Sequence, residues 1–389
     1  TACFLRVRRA VEKVKIFWNQ FNANYQKNKD QLSVYAGFKN TEDNYKFSSV
    51  SSANSSFSNL FQINTIYTRT ETEQTKFSLG AQYIGRNIRS NDRGRHTVNQ
   101  MAVYGILQHA FSNRFISNTS LRTEYTDNAG WIVVPQVNLS YQINQLQLRA
   151  SIGYAYRNAD FTELYNNYNR TGVRSGSIGN PNLSAEKSMN YEVGFDWANN
   201  QLGKWSFSLF NRDSRDLIDW SLTAYADMPR KENLVVNGNY FLAKNQNRIS
   251  VSGLELDYML EKKLNEQNSI RLKTGLIWLS TESKEGPLSF YLSSAPKFLA
   301  NFAAGIKLKN MDFSFTGLYK SRSAQTNNPL LVPLSSSYFV MNTRINIHFN
   351  KVKHIVFLQA DNLLNQSIND FVGTPLPGRW LQGGFRFIF

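Results

Sequence analysis

Hydrophobic and polar positions alternate along this chain from near residue 16 to its end. Over 146–157, Leu146, Leu148, Ala150, Ile152, Tyr154 and Tyr156 share one face, while Gln147, Arg149, Ser151, Gly153, Ala155 and Arg157 share the other. Phe339, Met341, Thr343, Ile345, Ile347 and Phe349 repeat the pattern, as do Ile270, Leu272, Thr274, Leu276 and Trp278. A period of two is the period of a β-strand. The segments run about ten to fourteen residues, whereas strands of soluble proteins average nearer five or six. A strand tilted across a membrane needs roughly nine to eleven. The last segment ends on Phe385, Phe387 and Phe389, all on one face, with nothing polar after them.

Roughly seventeen such strands are expected. They lie near 16–27, 31–40, 56–71, 75–87, 97–111, 115–126, 131–143, 146–157, 187–198, 204–216, 247–261, 269–281, 297–309, 312–323, 337–350, 353–366 and 379–389. Their connections alternate in length. Counting back from the C-terminus, the joins at 351–352, 310–311, 262–268, 199–203, 144–145 and 112–114 are short, and those at 367–378, 324–336, 282–296, 217–246, 158–186 and 88–96 are long and polar. Only 127–130 departs from the rule. One trimmed rim and one elaborated rim is the plan of an outer-membrane barrel, with short periplasmic turns and long extracellular loops. The fold class expected is therefore all-β, an antiparallel transmembrane β-barrel. Aromatic residues stand near strand ends, as at Trp197 and Trp205 and at Phe111 and Phe115, where a membrane interface would place a girdle.

Composition agrees. Aromatic residues make up 14% of the chain although the mean hydropathy is −0.42, which suits strands with one apolar and one wet face. No run of apolar residues is long enough for a membrane-spanning helix, which leaves strands as the means of crossing. The net charge of +16 first suggests nucleic acid, but the cations are scattered singly rather than gathered in a patch, and anionic lipid or an anionic ligand fits them better. The single cysteine, Cys3, excludes an internal disulfide. His96, His109, His348 and His354 show no metal-ligand spacing, so no metal or other cofactor is expected. Acids such as Glu163, Asp213, Asp216 and Asp219 are dispersed, with no nucleophile–base arrangement, and no enzyme activity is expected.

Three segments carry a family resemblance: Tyr156-Arg157-Asn158-Ala159-Asp160-Phe161-Thr162-Glu163-Leu164-Tyr165; Gly179-Asn180-Pro181-Asn182-Leu183-Ser184-Ala185-Glu186-Lys187-Ser188 running into Asn190-Tyr191-Glu192-Val193-Gly194-Phe195; and Asp361-Asn362-Leu363-Leu364-Asn365 with Pro375-Leu376-Pro377-Gly378-Arg379 through Phe389. In this order they resemble the C-terminal barrel of TonB-dependent outer-membrane receptors, and more loosely the cobalamin and siderophore branch. The resemblance implies a barrel of about 22 strands, so residues 16–389 are expected to form part of one, after an irregular segment over 1–15. The chain is expected to be a C-terminal fragment without the plug domain, the first barrel strand lying before its start. The resemblance further implies energy-coupled import of a scarce nutrient, a siderophore, cobalamin or similar. It implies location in the Gram-negative outer membrane among lipid and lipopolysaccharide, contact with the TonB complex through the N-terminal region, and reading of Phe385, Phe387 and Phe389 by the barrel assembly machinery.

Ligand contacts are expected in the long loops, from Tyr165, Tyr168, Arg170, Arg174, Tyr225, Arg230 and Tyr291. Tyrosine and arginine there suit stacking on, and charge pairing with, a bulky anionic chelate. A passive porin-like barrel is the competing reading.

Overall fold

The computed structural model describes residues 10–46, 48, 52–283, 295–322, 334–349, 354–371 and 374–387. In chain order the strands are β1 (Val11–Lys27), β2 (Asp30–Lys46), β3 (Asn54–Thr70), β4 (Thr75–Ser90), β5 (Gly94–Ala110), β6 (Phe115–Thr126), β7 (Gly130–Ile143) and β8 (Leu146–Arg157). A short helix α1 (Phe161–Tyr165) precedes β9 (Val173–Ile178), β10 (Glu186–Asn199) and β11 (Gly203–Ala224). Then come β12 (Leu234–Lys263), β13 (Asn268–Ser283), β14 (Pro296–Leu308), β15 (Met311–Arg322), β16 (Ser337–Phe349), β17 (His354–Asp361), β18 (Asn369–Phe371), β19 (Thr374–Pro375) and β20 (Trp380–Phe387). The chain is all-β, and every expected strand is present.

The chain divides into two compact units. The first comprises Thr1–Leu139, Ile152–Met189 and Ser214–Arg248. In it β1 through β6 pair consecutively as antiparallel hairpins. The second comprises Ser140–Ser151, Asn190–Asp213 and Ile249–Phe389. In it the C-terminal part of β12 pairs with β13, each strand through β17 pairs with the next, and β17 pairs with β20. Short turns close on residues that tolerate positive φ, such as Asn28 at 53° and Asn144 at 52°.

Both units invert the burial of a water-soluble sheet. In the first, Leu79, Met101, Val103 and Leu107 stand exposed on one face of β4 and β5. On the opposite face, Arg122 donates to Gln82 at 2.8 Å and to Glu124, whose side chain is almost fully buried. In the second, Leu358 and Phe385 are 65% and 72% exposed. The opposite face there carries Arg149, which donates to Glu192 at 3.0 Å and pairs with Asp196 at 2.8 Å. Apolar area of this extent needs an apolar medium, whereas the polar faces satisfy one another.

Most strands overrun the expected boundaries, but β17 stops at Asp361 where a strand over 353–366 is expected. β1 begins at Val11, where Val11-Glu12-Lys13-Val14-Lys15 carries charges that mask the alternation, and Lys15 pairs with Glu42 at 3.2 Å across to β2. The expected loop 88–96 shrinks to 91–93, and the loop 217–246 to 225–233, because β4, β5, β11 and β12 all extend into it. β9, β18 and β19 are additions, all short. β9 pairs in parallel with the start of β12.

The Asp361–Asn365 motif ends β17 and pins the chain before β20. Asn362 and Asn365 adopt φ of 47° and 52°. Buried Asn362 donates through Nδ2 to the carbonyls of Gln366 (2.9 Å) and Pro377 (3.1 Å), and its Oδ1 accepts the Gln366 amide at 3.0 Å. Asn365 accepts the Arg379 amide at 2.8 Å. Asn362→Ala leaves three partly buried backbone groups without partners, so a loss of about 1–2 kcal/mol is expected. Hydrogen exchange at the Gln366 amide measures it.

Asp370, on β18, accepts from Lys320 at 2.8 Å and from Arg322. Burial pushes its carboxyl upward, but the hydrogen bonds and charges of Lys320 and Arg322 outweigh this and hold it below the ordinary carboxylate range. A lowered folded pKa contributes stability that is complete above the ordinary value near 4 and disappears as pH falls through the folded one. Protection of the β18 amides is therefore expected to fall below about pH 4 in the native protein and to lose that pH dependence in Asp370→Asn.

Candidate functional site

Within the first unit, the connection from β8 to β10 builds a platform out of the family-like segments. α1 forms because Asp160 caps it: the carboxylate accepts the amides of Thr162 (2.7 Å) and Glu163 (2.8 Å), while Glu163 accepts the Asp160 amide at 2.9 Å. This reciprocal box satisfies donors that a five-residue helix would otherwise leave open. Arg157 then forks onto two carboxylates, with 2.8 Å contacts to both oxygens of Glu163 and contacts of 2.8 and 2.6 Å to Glu186. Glu186 also accepts the Ile218 amide at 2.8 Å. Glu186 thus serves as a structural anion rather than as a charge offered to the surroundings.

The Gly179–Lys187 segment docks beside it. Gly179 has no room for a side chain: a Cβ would lie 2.4 Å from the Tyr165 backbone nitrogen. Asn180 donates to the Ala243 carbonyl at 3.1 Å, and Leu183 packs with Leu164, Ile218 and Ala243 in a buried cluster. A second cluster joins Val173, Ile178, Met228 and Leu242 around Tyr240, which is fully buried and bonds through its hydroxyl to the backbone of Val173 and Val235 at 2.8 Å. The connections on this rim are folded and share a core.

On this platform three of the predicted residues meet. The Tyr165 ring stacks on His96 of β5 with centroids 3.4 Å apart and planes parallel to 1°. Tyr168 meets Tyr165 edge-on at 6.1 Å, and the Arg230 guanidinium lies 3.8 Å over the Tyr168 ring. Arg230 also donates to the Tyr168 carbonyl at 2.7 Å and pairs with Glu232 at 3.1 Å. Burial pushes the Tyr165 phenol upward, so it stays protonated and can donate a hydrogen bond. Arg170 and Arg174 are exposed on the same segment. Tyr225 instead packs half-buried against the Tyr240 cluster, with Lys231 5.7 Å from its ring. Tyr291 and Phe389 lie outside the described residues.

The platform thus offers ring edges, a neutral phenol and arginines, the chemistry of anion and π recognition. Among the described residues no group of histidine, cysteine and carboxylate side chains could hold a metal ion. Residue type alone pointed to Tyr165, Tyr168 and Arg230. It missed His96, whose partner is distant in sequence, and it missed Arg157, whose two carboxylates come from separate segments.

No curated protein matches the chain. Solved structures that it resembles include the siderophore receptor PirA from Pseudomonas aeruginosa, with a TM-score of 0.71 and 14% identity over 96% of this chain and 64% of that one. The ferric enterobactin receptor PfeA from Pseudomonas aeruginosa gives a TM-score of 0.74 at 14% identity, over 96% and 62% respectively. The FrpB iron transporter from Neisseria meningitidis gives 0.74 at 15% identity, over 96% and 63%. The chain therefore spans less than two thirds of the length of these structures, and at such identities the likeness shows the fold. The family model for the TonB-dependent receptor-like β-barrel matches residues 11–363, nearly the whole chain. The chain belongs to that family.

Proposed function

We propose that this chain is the barrel portion of an outer-membrane receptor that captures a scarce nutrient at its loop rim for TonB-coupled import. The platform of His96, Tyr165, Tyr168 and Arg230 is the observation that carries the reading. Stacked rings held by a folded loop core form a rigid surface, and exposed Arg170 and Arg174 beside it give that surface a positive field. A ferric siderophore is the preferred ligand class, because such a chelate is bulky, commonly anionic and rich in π surface, and because the resembling structures are siderophore receptors and an iron transporter. Cobalamin is the second candidate. In this reading the chain from Val11 onward forms part of a barrel that a preceding plug domain would fill, and Phe385, Phe387 and Phe389 present the signal for barrel assembly.

The test is binding of labelled ferric siderophores and cobalamin by the full-length protein in outer-membrane vesicles. One chelate is expected to bind, and Arg170→Glu with Arg174→Glu is expected to weaken it by about tenfold or more, mostly through slower association. Binding of no chelate would end the siderophore–cobalamin assignment. A steady open conductance without any ligand binding would point instead to the passive porin.

A further inference from the structure

The turn at 91–93, the tip of the β4–β5 hairpin, is fastened on two sides. On one side Asn91 ties it to the start of β3. Its Oδ1 accepts the Ser55 amide at 3.0 Å, and its Nδ2 donates to the Ala53 carbonyl at 2.8 Å. The Asp92 side chain is buried and accepts from the Ser90 hydroxyl. On the other side the turn meets the platform. The Asn169 amide donates to the Asp92 carbonyl at 2.7 Å, and Nε2 of His96 lies 2.7 Å from the Arg93 carbonyl. A carbonyl only accepts, so Nε2 carries the proton. The bond holds the imidazole where it stacks on Tyr165.

Asn169 stands between Tyr168 and Arg170, so its bond to the turn fixes the backbone that carries both. From the opposite edge Arg230 holds the Tyr168 carbonyl at 2.7 Å. At the base, Nδ2 of Asn166 and Nδ2 of Asn167 both donate to the Ser177 carbonyl, at 2.9 and 3.0 Å. The recognition residues are thus strung between anchors on the β4–β5 hairpin, the β11–β12 connection and β9. The ring face of Tyr165 that stacks on His96 at 3.4 Å is closed to any ligand, so the opposite face is the one on offer.

We infer that His96 and Asn169 are positioning residues that hold Tyr165, Tyr168 and Arg170 in one frame, and that this frame selects a metal-loaded chelate over the same chelator without its metal. The inference deepens the chelate reading above and rests on it. A bound metal locks the arms of a chelator into one geometry, so the loaded form meets a rigid surface with little further ordering. The metal-free form must freeze each arm as it binds, and a rigid surface does not move to meet it. A loose surface re-packs around either form and loses the distinction. Both residues act through others: His96 through the Tyr165 ring, and Asn169 through the backbone of its neighbours.

The test uses the full-length protein in bilayer nanodiscs, with the ferric complexes of a tricatecholate and a trihydroxamate chelator beside their metal-free forms. For the chelator that binds, the wild type is expected to prefer the ferric form by about tenfold or more. His96→Ala opens the stack and Asn169→Pro removes the amide donor. Each should cut the preference to about threefold or less, chiefly by weakening the ferric complex. His96→Phe keeps a ring against Tyr165 and should keep the preference. A fluorine label on the Tyr165 ring reports the frame without ligand: one narrow resonance in the wild type and in His96→Phe, a broadened or doubled one in the two loosened variants. Hydrogen exchange across β3 to β5 confirms that each variant is folded. Equal binding of the two forms by the wild type, an undiminished preference in both loosened variants, or its loss in His96→Phe would overturn the inference and leave the chelate reading standing. Binding of neither chelator in either form would overturn both.

Discussion

Replacing Arg157 with Met is expected to destabilise the platform by about 2–3 kcal/mol. The guanidinium is the cation between Glu163 and Glu186, whose side chains are only 14% and 15% exposed. Without it two carboxylates face each other in a poorly hydrated site. Removing one partner of a fully buried pair costs about 3–5 kcal/mol, and the figure is lowered here because Arg157 itself is 46% exposed. The loss is local. Glu163 belongs to the capping box of α1, and Glu186 holds the Ile218 amide, so α1 and the start of β10 should loosen while β1 to β6 keep their hairpins. Hydrogen exchange should show protection at Glu163, Leu164 and Ile218 falling by about thirtyfold or more, with little change in β3 to β5. Arg157→Met combined with Glu186→Gln should recover part of the loss, since one of the stranded charges is gone.

The second large effect concerns the apolar face. Val103→Lys is expected to cost about 2–4 kcal/mol in a bilayer, the range for a lysine set at mid-depth on the lipid side of a barrel. Val103 is 60% exposed and stands opposite Ala81 and Thr123 on the neighbouring strands. Ile106→Lys, on the other face of the same strand, should cost about 1 kcal/mol or less, because that face already holds Gln108, Gln100 and Arg122 and admits water. Equilibrium unfolding from vesicles measures both. In a protein with a water-soluble sheet the order of the two effects would collapse, since an exposed lysine in water costs nothing.

Much of the fold was legible because a strand face that must be apolar enforces a period of two. Wherever one face must be apolar, alternation survives, as in Leu146 to Tyr156 and Ile270 to Trp278. The signal fails where the strands run on into stretches without a clear apolar face. Residues 217–224, the later part of β11, read as loop although they are strand. β9 is invisible for another reason: its parallel pairing with β12 depends on contacts remote in sequence. The site divides in the same way. Residue type singled out Tyr165, Tyr168 and Arg230, since tyrosine and arginine in loops suit recognition. Yet the same reasoning also selected Tyr225, which the structure uses as packing for the Tyr240 cluster. No residue type announced that His96 would stack on Tyr165 or that Arg157 would unite two segments, because both pairings are created by the fold.

The central claim is that the apolar face of these strands meets lipid while the polar face does not. Nitroxide accessibility tests it directly. With Cys3 replaced by serine, single spin labels are placed at Leu79, Met101, Val103 and Leu358 on the apolar face, and at Gln82, Gln100 and Gln359 on the polar face, in bilayer-inserted protein. The account predicts high collision rates with oxygen and low rates with a water-soluble nickel complex at the first four positions, and the reverse at the other three. Accessibility without alternation, or nickel contact at Val103 and Leu358, would contradict it.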